Sequence, residues 1–211
     1  MEQIRVMEKP DWISWDEVQQ CIHDAQLTNK KKGFDMGFGY KTGEELRKSV
    51  GDNGYCFVVL NENNKVIATM SLRVSNVHFW WYKGLAGFHC CEAVLPDYRG
   101  TDVFFDMHEA VEHKEKELGL KLLWATTAEQ NKIVLKVSAK AGWKQVQYAS
   151  FSGCDYYSVI IARWFDGCPY SDRKIRFMFH LYKNAVRILY KPGHQKRFAL
   201  RKKEYTNQLI C

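Results

Sequence analysis

The sequence predicts an α/β (α+β) chain: a mixed, largely antiparallel sheet flanked by helices, followed by a basic helical extension at the C-terminal end. Three observations carry this. Between Glu92 and Thr127 an apolar run ends in a turn, an amphipathic segment follows, and a second apolar run closes the unit, giving strand, helix, strand. On either side, β-rich runs are separated by turn signals such as Asn61-Glu62-Asn63-Asn64 and Ser152-Gly153-Cys154-Asp155. Positive charge then collects beyond Pro169.

The first helix opens on Ser14-Trp15-Asp16-Glu17, a capping box in which Ser and Glu three apart serve orphan N–H groups. Val18, Cys21, Ile22 and Ala25 share one face, and Lys30-Lys31-Lys32-Gly33 suits the negative end of the dipole. Gly33 to Tyr40 is rich in glycine and aromatics and reads as a loop. Thr42-Gly43-Glu44-Glu45 opens a second, short helix to about Val50, stopped by Gly51-Asp52-Asn53-Gly54. Tyr55–Leu60 and Lys65–Val74 form a hairpin, His78–Tyr82 is strand or loop, and Leu85–Leu95 is the next strand. Asp102–Leu118 is helical, with Val103, Phe104, Met107, Ala110, Val111 and Leu118 on one face. Leu120–Thr127 is a strand, Asn131–Ala141 a helix, and Gln145–Phe151 and Tyr156–Trp164 finish the sheet. A hinge around Gly167 and Pro169 divides the chain into residues 1–166, one domain, and 167–211, the extension. Ser171-Asp172 caps the extension's helix, which runs to about Tyr190. Its apolar stripe is Ile175, Met178, Phe179, Tyr182, Ala185, Val186 and Leu189.

Composition narrows the class. At 211 residues and 46% hydrophobic the chain supports one ordinary core. It has no apolar run of membrane-spanning length. Met1–Pro10 carries Glu2, Arg5, Glu8 and Lys9 and lacks the apolar segment of a secretory leader. Seven cysteines without a C-x-x-C pair suit reduced, buried thiols, so a cytoplasmic protein is expected. Residues 169–211 hold eleven Lys and Arg against Asp172 and Glu204, a charge of +9. The whole chain is +7, so the rest carries −2.

The stretch Val94-Leu95-Pro96-Asp97-Tyr98-Arg99-Gly100-Thr101-Asp102-Val103-Phe104 turns from strand into helix. A turn of this kind can hold a pyrophosphate with free backbone N–H groups and the positive end of a helix dipole. Downstream, Asn131 leads a helix that closes on Ala141-Gly142-Trp143. This order resembles the acyl-CoA core of the GNAT superfamily of N-acyltransferases. Asp155–Val159, Gly167-Cys168-Pro169 and Tyr190-Lys191-Pro192-Gly193 resemble a bacterial subgroup of it. The family pattern in the turn is Q/R-x-x-G-x-G/A. Arg99 matches it, whereas Asp102 and Phe104 stand where small glycine-like residues are preferred, adding a negative charge and bulk beside the phosphates. The resemblance implies acetyl-CoA, or another short acyl-CoA, as co-substrate and no metal. It implies Val94, Leu95, Arg99, Gly100, Thr101, Asp102, Val103, Phe104 and Asn131 as the cofactor-binding residues. Asn131 reads equally as an ordinary helix cap.

Aminolysis of a thioester needs a deprotonated amine, an oxyanion site and a proton for the leaving thiolate. Strand alternation puts Phe88, Cys90 and Glu92 on one face and His89 on the other, unless the strand bulges. Glu92 is the only carboxylate of that face and is the candidate base, acting through water; a strand-end ion pair is the competing reading. The family's general acid is a Tyr seven residues after the motif Asn, and Ser138 stands there. The reaction so implied is N-acyl transfer to a primary amine or amino sugar by direct attack. Two rivals stand beside it. One is a GNAT fold that binds a ligand or partner without catalysis, favoured by Asp102, Phe104 and Ser138. The other is an acyl carrier protein-dependent enzyme whose basic extension docks the carrier. Trp80, Trp81, Tyr82 and the Gly33–Tyr40 loop suggest an aromatic-lined mouth. The extension's helix is expected to pack on the domain or on a second subunit; an anionic membrane surface is the sharper alternative, and no nucleic-acid motif is present.

Overall fold

The computed structural model describes residues 4–31, 40–151 and 156–189. Twelve elements follow in order: β1 (Arg5–Glu8), α1 (Trp15–Lys31), α2 (Gly43–Val50), β2 (Gly54–Leu60), β3 (Val66–Phe79), β4 (Tyr82–Val94), α3 (Val103–Glu117), β5 (Leu122–Ala128), α4 (Lys132–Lys140), β6 (Lys144–Ala149), β7 (Ser158–Trp164) and α5 (172–189). A short 3-10 turn, Pro96–Tyr98, links β4 to α3. The seven strands form one sheet in the order β1-β2-β3-β4-β5-β7-β6. Every pairing is antiparallel except β4 with β5, the two strands that α3 connects.

Local chemistry explains the helix starts. The Ser14 N–H donates to Glu17 Oε2 at 2.7 Å and the Glu17 N–H to Ser14 Oγ at 3.2 Å, the reciprocal box read from the sequence. Thr42 Oγ1 accepts the Glu45 N–H at 3.2 Å, and Asp16 Oδ1 accepts the Gly43 N–H at 2.7 Å. That last bond pins the start of α2 against the start of α1. It needs glycine at 43, because a Cβ there would lie 2.3 Å from the Asp16 backbone nitrogen.

The main core joins α1 and α2 (Val18, Ile22, Leu46), β2 to β4 (Val58, Val59, Ile67, Met70) and α3 (Val103, Met107, Val111). A second core gathers Trp81, Ala86, Leu122, Val146, Ile160 and Ala162, and Ile175 of α5 completes it. Helix α5 is therefore docked on the sheet: Ile175 and Phe179 are buried, and Tyr182 and Val186 partly so. Ala185 and Leu189, expected in the same stripe, are exposed instead. No helix among the described residues is long and apolar enough to cross a membrane.

Three expectations change. Strand β1 was not foreseen: it is a four-residue edge strand with charged ends, too short to set up an alternation. The segment 78–82 is the tip of a long β3–β4 hairpin, with pairing continuing to Phe79↔Tyr82. Trp81 does not line a mouth: it is 1% exposed and stacked on Phe79 at 4.5 Å, while Trp80 packs on Tyr170. The rest of that supposed mouth, Gly33 to Gly39, lies outside the described residues, as do Ser152–Asp155 and 190–211. Cys21, Cys56, Cys90, Cys91 and Cys168 are free thiols.

Candidate functional site

Strands β4 and β5 stay together only briefly. They pair at Gly87↔Leu123, Phe88↔Trp124 and His89↔Ala125. Beyond that point β4 remains with β3, β5 remains with β7, and the sheet opens between them. A β-bulge sits at the mouth: Met70 of β3 faces both Cys91 and Glu92, and Cys91 has φ 56. An extra residue of this kind bends and twists its strand, which suits divergence. The Leu95 N–H bonds the Ile67 carbonyl at 2.9 Å, so alternation turns the backbone groups of Val94 to the open side. The Val94 carbonyl is already taken there, accepting from Arg99 Nε at 3.0 Å.

The bulge also corrects the face assignment read from simple alternation. Cys91 reaches toward Tyr40, whose hydroxyl bonds Ser49 of α2 at 2.6 Å. Glu92 does not share the face of Phe88 and Cys90. It leaves the strand on the side of His89, toward α3, because the additional residue resets the alternation by one. There Glu92 Oε1 lies 3.5 Å from His108 Nε2. The His108 ring is covered by Phe104 at 4.3 Å and lies 5.9 Å from His89. His89 in turn holds Glu115, which is 1% exposed. A line Glu92–His108–His89–Glu115 thus runs from the opening into the core.

At 3.5 Å the Glu92–His108 contact is an ion pair rather than a well-formed hydrogen bond, and His108 Nε2 has no hydrogen-bond partner among the described residues. Burial pushes the Glu92 carboxyl up, but His108, with a smaller contribution from His89, outweighs it and holds the group below the usual carboxylate range. Burial likewise pushes the His108 imidazole down, and the carboxylates of Glu92 and Glu115 bring it above its ordinary value. Sequence reading placed His89 on its own face without a role and missed His108 and Glu115. One signal was available: Glu115 continues the +4 series Val103, Met107, Val111, the buried stripe of α3, so a carboxylate was bound to be buried.

The turn before α3 keeps much of its backbone free. Gly100 has φ 82, and a Cβ there would meet nothing within 4 Å. Asp102 is exposed and precedes α3 without a side-chain capping bond; the Val103 N–H finds Thr101 Oγ1 at 3.4 Å instead. Thr101 Oγ1 also donates to the Tyr98 carbonyl at 2.7 Å. Arg99 works as a strap, its Nη2 on the Ala25 carbonyl at 2.6 Å tying the turn to α1. The divergence of β4 from β5 thus leads directly into the turn and the start of α3. Phe104 is half-buried there, against His108.

On α4, Asn131 is the N-cap, with Oδ1 accepting the Val134 N–H at 3.3 Å. Its side-chain amide N–H groups make no hydrogen bond among the described residues. Ser138 is half-buried and makes no side-chain hydrogen bond among the described residues. It is not brought against Glu92 by any hydrogen bond or ion pair; His108 is. A cleft of about 310 Å³ separates α4 from α5, between Lys132, Lys136 and Lys183. Glu129 at its end accepts from Tyr148 and pairs with Lys183 and Arg187, both at 2.8 Å. Among the described residues no group of three or more His, Cys, Asp or Glu is arranged to hold a metal ion.

No curated protein matches the chain by sequence. Solved structures resemble it in fold. An acetyltransferase of the GNAT family from Staphylococcus aureus Mu50 shares 14% identity at TM-score 0.57, covering 77% of this chain and 99% of its own. An acetyltransferase from Streptococcus agalactiae 2603 shares 15% at TM-score 0.58, covering 77% and 98%. A chain of the NatC complex, bound to Gag peptide and CoA, shares 12% at TM-score 0.59, covering 77% and 99%. The sequence profile of the acetyltransferase (GNAT) family matches residues 20–143, more than half of the chain. That span holds α3, the opened strands and the Asn131 helix, and the chain belongs to the GNAT acetyltransferase family, whose members use acyl-CoA.

Proposed function

We propose that the chain is an N-acyltransferase moving an acetyl or short acyl group from acyl-CoA to a primary amine by direct attack. The observation that carries this reading is the opening between β4 and β5, with the Glu92–His108 pair at its mouth. The thioester supplies an activated acyl group. The Val94 N–H, the group of that strand end left on the open side, would meet the pantetheine beside Leu95, the N–H groups near Gly100–Phe104 would meet the pyrophosphate, and the amide N–H groups of Asn131 would contact the pantetheine arm.

The pair's electrostatics support a division of the proton work. A carboxylate held below its usual range is a weak base near neutrality, so Glu92 alone is poorly matched to the task. When His108 is neutral, the pair as a unit can take the amine proton through water and hold it on the imidazole beside the ionised Glu92. His108 can later release that proton toward the thiolate, and no Tyr is then needed at position 138. Acyl transfer should therefore rise with pH through an apparent pKa above the ordinary imidazole value.

The test is thiol release from acetyl-CoA with a panel of primary amines: a polyamine, an amino sugar and a peptide α-amine. With the best acceptor, His108→Gln should move one limb of the pH–rate profile to lower pH, because Glu92 is left as the only base. Glu92→Gln should lower the rate about 10²-fold or more with little change in acetyl-CoA affinity. A profile unmoved by both substitutions would remove the pair from the mechanism. Calorimetric binding of acetyl-CoA with no thiol release from any amine would instead favour a ligand-binding GNAT fold, the reading toward which Asp102 and Ser138 lean.

A further inference from the structure

The face of α5 turned away from the sheet carries a row of apolar side chains, interrupted by Asn184. Phe177, Leu181 and Ile188 are 66%, 52% and 78% exposed. At about 100° per residue they fall within roughly 40° of one another and span about 16 Å, opposite the docked Ile175, Phe179 and Val186. Exposed Arg173, Lys174 and His180 flank this ridge. The helix's single carboxylate, Asp172, is paired with Lys144, so nothing negative faces outward. The sequence beyond it adds Lys191, Lys196, Arg197, Arg201, Lys202 and Lys203 against Glu204 alone.

We propose that the outer face of α5 is a docking surface for an anionic lipid bilayer, with the helix lying in the interfacial plane. An apolar ridge bordered by cations is the chemistry of such helices: the ridge enters the acyl boundary and the cations meet the headgroups. The other occupants account for only half of the surface. A second copy would set one cationic face against another. An acidic protein or a nucleic acid would answer the charge and leave the three apolar side chains unexplained. The proposal is independent of the acyl-transfer reading, because it uses no residue of the β4–β5 opening.

The experiment is co-sedimentation of the full chain with phosphatidylcholine vesicles made with and without phosphatidylglycerol. Binding is expected only with phosphatidylglycerol, weakening as salt is raised. Phe177→Gln with Ile188→Gln should reduce it by about tenfold or more while leaving the melting temperature unchanged, since neither side chain is packed. Arg173→Gln with Lys174→Gln should reduce it and flatten its salt dependence. Absence of binding to anionic vesicles overturns the proposal. So does binding that the apolar double variant leaves intact, which would assign it to the cations alone. A concentration-dependent dimer that the same double variant abolishes would give the face to a second copy instead.

Discussion

Asp102 is the residue most at odds with its surroundings. Its carboxylate stands just before the first turn of α3, where the helix dipole favours it, and where a phosphate would be repelled by it. The side chain caps nothing, so the dipole is its one structural support among the described residues. Asp102→Gly should therefore tighten acetyl-CoA by about 1 kcal/mol, roughly fivefold in Kd, through loss of a like charge near the pyrophosphate. The same change should cost about 0.5 kcal/mol of stability through the dipole. Calorimetry at low and high salt is the check: a gain in affinity equal at both salt levels would mean that the charge is not its cause. At this scale the sequence was legible where a residue's backbone role was set locally. Asn131 as a cap and the free turn at Gly100 followed from their positions. The partner of Glu92 did not, because the bulge rests on a positive φ at Cys91, a residue type that gives no warning of it.

At the scale of elements, the long periodic segments were readable and their meetings were not. Helices α1, α2 and α3 declared themselves by caps and stripes. The splay of β4 from β5 follows from a bulge and from which neighbours each strand keeps, and periodicity records neither. The docking of α5 is another such meeting, and Glu129 is its polar anchor. Burial raises the Glu129 carboxyl, but Lys183, Tyr148 and Arg187 outweigh it and bring the group down to about 2. A depressed carboxyl contributes stability above its unfolded value, about 4.3, and that contribution disappears as pH falls toward 2. Glu129→Gln should accordingly cost about 1 kcal/mol at neutral pH, since Arg187 is half exposed and the pairing is screened. The difference from the parent should shrink below about pH 4 and vanish only as pH falls through about 2. Thermal melts of both proteins across that range would measure it, and a constant offset at all pH values would mean that the loss is not electrostatic.

The whole molecule divides by charge but not by packing. Residues 169–211 are +9 and the remainder is −2, which by composition alone suggests a separable extension. Packing ties the two parts together. Ile175 completes the second core beside Trp81 and Ile160, Phe179 packs edge-on against Tyr148 at 6.0 Å, and Arg187 and Lys183 hold Glu129. Ending the chain after Gly167 would uncover those apolar surfaces on β6 and β7 and leave Glu129 without its cations. Burial of Ile175 and Phe179 is worth about 1.5–3 kcal/mol each, an upper bound given a compact unfolded state. The truncated chain should thus lose several kcal/mol in urea unfolding, and its solubility should fall as the apolar patch is exposed. Its isoelectric point should drop below neutrality at the same time. A truncated chain that unfolds at the parent's urea midpoint would mean that α5 rests on the domain without stabilising it.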